Sequence, residues 1–96
     1  MRLSRLEREN IKKIITDYTE NAQIYLFGSR VDESKSGGDI DLYVKVSDKP
    51  HFLLKPRILA QLKHVLGEQK IDLVFGYPQK ALSLIDKEAT THGALL

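Results

Sequence analysis

Three aspartates and one glycine-serine turn carry the chemistry this chain could do. Leu26-Phe27-Gly28-Ser29-Arg30 ends an apolar run in a turn, and a polar stretch reaching Gly38 separates it from Asp39-Ile40-Asp41-Leu42. Carboxylates at i and i+2 of a strand share one face, with Cα atoms about 6.5–7 Å apart. Oxygen donors at that separation can converge on one or two divalent cations, and they suit Mg²⁺ or Mn²⁺ rather than zinc. A third aspartate, Asp72, sits in Ile71-Asp72-Leu73-Val74, again opposite an apolar row. Aspartate is disfavoured in strands, so three of them on polar strand faces call for a reason. Gly28 lets the backbone come close to a phosphate, and Ser29 adds a hydroxyl donor. Singly, each feature reads as ordinary: a wet strand face, a strand-ending turn. Together they point to cation and phosphate binding.

The elements that must position these residues follow from periodicity. Ser4 and Glu7 have the spacing of a capping box, and Ile11, Ile14, Ile15 and Tyr18 form one stripe, which predicts a helix over Arg5 to Glu20 with Asn21 as its stop. Gln23 to Phe27 reads as a buried strand, and Asp39 to Val46 as a second, with Ile40, Leu42, Val44 and Val46 on its core face. Leu54, Ile58, Leu62, Val65 and Leu66 have helical spacing up to Gly67; Pro56 fits only a first turn, which places the helix start near Lys55. Lys70 to Gly76 is a third strand with Ile71, Leu73 and Phe75 inward. Leu82, Ile85 and Ala89 suggest a short last helix, N-capped by Ser83 and stopped at Gly93. Strands two and three, joined through a helix, are expected to pair in parallel, while the first two could pair either way. The expected fold is α/β or α+β: a small mixed sheet of at least three strands, with helices on its apolar face and the aspartates on the other.

Composition narrows the function. The chain has 96 residues with 42% apolar and 29% charged, the size and balance of one globular domain over 1–96. A net charge of +2, with lysines and arginines scattered, makes nucleic acid an unexpected main partner. Cysteine is absent, which excludes a thiol nucleophile, a disulfide and a thiolate zinc site. No membrane-length apolar run or signal peptide is legible, so a cytoplasmic protein is expected. The apolar Ala94-Leu95-Leu96 end should pack back or meet a partner, in a homo- or hetero-oligomer.

Phe27-Gly28-Ser29, the intervening loop, Asp39-Ile40-Asp41-Leu42 and the later Asp72 together resemble the polymerase beta-like nucleotidyltransferase superfamily. The small size, and His92-Gly93 before the apolar end, are similar to its minimal branch (MNT), many of whose members are antitoxins paired with HEPN-domain ribonuclease toxins. The resemblance implies the polymerase beta-like nucleotidyltransferase fold. It assigns Gly28, Ser29 and Arg30 to the nucleotide's phosphates, and Asp39, Asp41 and Asp72 to two Mg²⁺ or Mn²⁺ ions, with Asp72 also drawing the proton from the acceptor hydroxyl. The implied activity is transfer of a nucleoside monophosphate, AMP from ATP, to a hydroxyl of a partner protein such as a HEPN toxin. The sequence departs from the branch at Val31-Asp32-Glu33 after Arg30, where many members carry a basic residue. That departure keeps a second expectation open: an antitoxin that neutralises its partner by complex formation, without catalysis.

Overall fold

The computed structural model describes residues 3–28, 39–67, 69–78, 80 and 84–96. Helix α1 (Arg5–Tyr18) begins at the expected capping box: the Glu7 amide donates to Ser4 Oγ at 3.1 Å, and the Ser4 amide to Glu7 Oε1 at 2.9 Å. It ends two residues before the predicted Glu20, because Thr19 is already extended (φ −133°) and bonds back to the Ile15 carbonyl at 2.7 Å. Asn21, at φ 53°, then makes the turn into the sheet, a conformation asparagine tolerates better than most residues.

The sheet contains β1 (Gln23–Phe27), β2 (Ile40–Lys45), β3 (Ile71–Gly76) and β4 (Ala94–Leu95), in the order β3-β2-β1-β4. β2 and β3 are parallel, as a crossover through α2 (Leu54–Leu66) requires, and β1 is antiparallel to β2 and to β4. The apolar tail therefore packs back as an edge strand: Leu26 faces Ala94, Tyr25 faces Leu95, and the Leu96 amide donates to the Ile24 carbonyl at 2.8 Å. Pro56 is the third residue of α2, where its missing N–H leaves no helical bond unmade.

One face of the sheet forms the core. Ile24, Leu26, Ile40, Leu42, Val44, Leu73 and Phe75 meet Ile11 and Ile15 of α1 and Ile58, Leu62 and Leu66 of α2. Val65 points outward instead. Truncating a fully buried member such as Leu42 to alanine costs about 2–5 kcal/mol.

The third helix, α3 (Leu84–His92), lies against the other face, so the aspartate side of the sheet is partly covered. Its buried side chains are Asp86 and Ala89, while Ile85 is half exposed. The stripe is thus rotated about one residue from the Leu82–Ile85–Ala89 spacing; Leu82 and the expected cap Ser83 lie outside the described residues. The reason is polar: Tyr43, on the aspartate face of β2 and almost fully buried, has a side-chain hydrogen bond to Asp86. Burial first, and this bond second, push the Tyr43 hydroxyl up to about 12. Tyr43 also reaches over Gly76, where any Cβ would collide with its ring and hydroxyl.

Candidate functional site

β2 and β3 bring the predicted carboxylates together by register. Asp41 is the direct partner of Asp72, and Phe27 of β1 is the partner of Asp41 on its other side. Same-face residues repeat every two positions, so one step back along both strands Asp39 lies beside Lys70. That pair is closed twice: Lys70 Nζ is 3.6 Å from Asp39 Oδ2, and the Ile40 amide donates to the Lys70 carbonyl at 3.0 Å. Four side chains thus form a block on adjacent strands, three acidic and one basic.

The electrostatics follow from that packing. Partial burial, then the charge of Asp72, a side-chain hydrogen bond with Asp72 and the charge of Asp39 raise the Asp41 carboxyl from 3.8 to about 6; Lys70 works in the opposite direction. Asp41 and Asp72 are therefore within hydrogen-bond reach of each other, and a divalent cation would relieve the repulsion that raises the pKa. Asp39 does not complete a cage with them. Among the described residues no three acidic or imidazole side chains are grouped to hold a metal ion, and Asp39 is engaged with Lys70.

Gly28 shapes the other wall. It has φ +76°, in the left-handed region, and a Cβ there would run into Asp41 Oδ2. Glycine is needed for both reasons, and its backbone is held against the carboxylate. Ser29 and Arg30, the other expected phosphate contacts, lie outside the described residues. A cleft of ≈ 320 Å³ adjoins the block, lined by Phe27, Asp41, Asp72, Ile85, Lys55 and Leu59 among others. Roomier grooves of ≈ 500 and ≈ 600 Å³ contain none of the three aspartates. The donor set fits a hard divalent cation: oxygen donors only, two carboxylates side by side, and an ammonium already standing where positive charge is wanted.

Residues 9–96 match the family described as polymerase beta, nucleotidyltransferase. The chain belongs to that nucleotidyltransferase family. Its fold is also that of chains in toxin–antitoxin complexes. One is the tri-AMPylated Shewanella oneidensis HEPN toxin in complex with MNT antitoxin (24% identity, TM-score 0.73, 97% of this chain and 71% of that chain). Another is a mutant of the MntA-HpeT toxin–antitoxin (26%, TM-score 0.71, 93% and 69%). A third is a toxin–antitoxin with AMP-PNP (25%, TM-score 0.73, 91% and 69%). No curated protein matches the chain. Among the described residues of this nucleotidyltransferase no helix is long and apolar enough to cross a membrane.

The structure places the expected Asp41, Asp72 and Gly28 together and Asp39 beside Lys70, whereas Lys70, Lys55 and the Tyr43–Asp86 pair are not singled out by the sequence. Lys70 was legible in principle, because it precedes Asp72 by the same two-residue step that separates Asp39 from Asp41. Lys55 carries no local signal; α2 alone brings it to the cleft.

Proposed function

We propose that this nucleotidyltransferase moves AMP from ATP to a hydroxyl on a partner protein, with Mg²⁺ or Mn²⁺, as the antitoxin of a HEPN-type toxin in the cytoplasm. The observation that carries the reading is the register of Asp41 against Asp72, beside the tight Gly28 turn. The AMP-PNP and tri-AMPylated complexes of similar fold support the choice of nucleotide and partner.

In this reading Asp39 and Asp41 would hold the cations, with Asp72 completing the site. When bound, they would supply positive charge for the acceptor oxygen and the departing pyrophosphate. The Gly28 backbone, with Ser29 and Arg30 after it, holds the phosphates. Asp72, the exposed member of the pair, takes the proton of the acceptor hydroxyl as the acceptor oxygen bonds the α-phosphorus. The bond between the α-phosphorus and the bridging oxygen breaks, and pyrophosphate leaves. Ile85 and Phe27 line the cleft with apolar surface beside the carboxylates. Incubating the protein with its toxin partner, Mg²⁺ and ATP labelled at either the α- or the γ-phosphate tests this. Label should pass to the partner from α-labelled ATP alone; transfer from γ-labelled ATP, or none, contradicts it.

One observation favours the second reading, neutralisation by complex formation alone: Asp39 is paired with Lys70 rather than grouped with the other carboxylates. An Asp39→Asn, Asp41→Asn double variant separates the two. Full neutralisation of the toxin in cells by that variant means that binding suffices.

A further inference from the structure

We infer that Lys70 is the site's own counter-ion: its ammonium holds Asp39 until a divalent cation displaces it, and it then turns to the phosphates of the incoming nucleotide. The inference rests on the proposed nucleotidyl transfer and adds a positioning residue to it. Lys70 immediately precedes β3, two residues before Asp72, and continues its alternation toward the face that carries Asp39 and Asp41. The backbone bond from Ile40 to the Lys70 carbonyl fixes the base of the side chain next to Asp39. The Lys70 side chain is 72% exposed and the Asp39 side chain 44%, so the ion pair is wet and weak enough to exchange. An ammonium beside Asp39 competes for the carboxylate oxygen that a cation would use.

When a cation of charge +2 takes Asp39, Lys70 is left beside a like charge and is driven from it. Its flexible four-carbon stem lets the ammonium swing while the strand stays fixed. A polyphosphate brought in with the cation is the only strong anion the reaction adds to this face, and it attracts the released ammonium. The same residue therefore opposes the bare metal and favours the metal-nucleotide complex. Lys55, which lines the cleft from α2, does not share this role, because the cation paired with Asp39 is Lys70.

The test is binding, read without turnover. Free Mn²⁺ is titrated by electron paramagnetic resonance, and the magnesium complex of a non-hydrolysable ATP analogue by calorimetry, on wild type, Lys70→Met and Lys70→Arg. Lys70→Met should bind Mn²⁺ alone about fivefold tighter and the Mg-analogue complex about fivefold more weakly, with the gain on Mn²⁺ shrinking at high salt. Lys70→Arg should keep both affinities near wild type. Unchanged or weaker Mn²⁺ binding in Lys70→Met, or unchanged analogue binding, overturns the inference. If wild type binds both ligands and Lys70→Met behaves identically, only the role of Lys70 falls. If wild type binds neither, the nucleotidyl-transfer reading falls with it.

Discussion

Asp41 and Asp72 are register partners on parallel strands, and the proximity of their carboxyl groups, with partial burial, raises Asp41 to about 6. Two like charges on one sheet face, next to a glycine that admits no side chain, weaken the fold when no cation is present. Asp72→Asn removes that pairwise repulsion from an exposed position. The metal-free variant should melt at or above the wild-type temperature while transfer is lost. A clear drop in its metal-free melting temperature would show that Asp72 is a structural partner and take it out of the site.

Gly28→Ala attacks the same site from the other strand. The left-handed backbone at φ +76° and the collision with Asp41 Oδ2 both oppose the new methyl group. A loss of about 1 kcal/mol or more in stability is expected from the backbone alone. Denaturant melts and Mn²⁺ titration should both move, because Asp41 must shift to make room. A variant with wild-type stability and wild-type Mn²⁺ affinity would show that the close approach has no role.

The raised Asp41 carboxyl sets a pH dependence. The folded state holds this proton more tightly than the unfolded chain, whose carboxyl titrates near 3.8. The resulting contribution is fully present below about pH 4 and is lost as pH rises through about 6. After allowance for solvent screening of a half-exposed group it is on the order of 1 kcal/mol. Metal-free Asp41→Asn should lack this component, so subtracting its stability curve from that of wild type between pH 4 and 7 should expose it. Saturating Mn²⁺ should abolish the decline in wild type, since cation binding replaces the proton.

Much of this site was legible because strands obey a two-residue period. Asp39, Asp41 and Asp72 each oppose an apolar row, and that alone puts them on the face away from the core. The direct pairing of Asp41 with Asp72 was not legible, because register depends on how α2 returns the chain to β3. The short edge strand Ala94–Leu95 was missed for a similar reason: two residues carry no period, and their partner Tyr25–Leu26 is distant in sequence. The coverage of the aspartate face by α3 was hidden because its anchor is a buried aspartate, which a search for apolar stripes discards. Among the strand tyrosines, nothing local marked Tyr43 as the donor to that anchor.

That anchor gives a prediction away from the carboxylate block. Tyr43→Phe leaves the ring in place but removes the hydroxyl that Asp86 accepts from, at a cost of about 1–3 kcal/mol. The melting temperature should fall while Mn²⁺ affinity stays near wild type. A variant as stable as wild type would show that α3 is held by its apolar contacts alone.

The central claim is that the Asp41–Asp72 pair binds a divalent cation together with a nucleoside triphosphate, and thermal melting tests it without any partner protein. A ligand at about a hundred times its dissociation constant adds about 2.7 kcal/mol to the native state, which for a chain of this size raises the midpoint by roughly 10–20 °C. Wild type should show that rise with Mg-ATP or Mn-ATP, and Asp41→Asn should show little of it. Equal midpoints with and without metal-nucleotide in wild type, for both metals, would contradict the account and leave the three aspartates as a solvated sheet face.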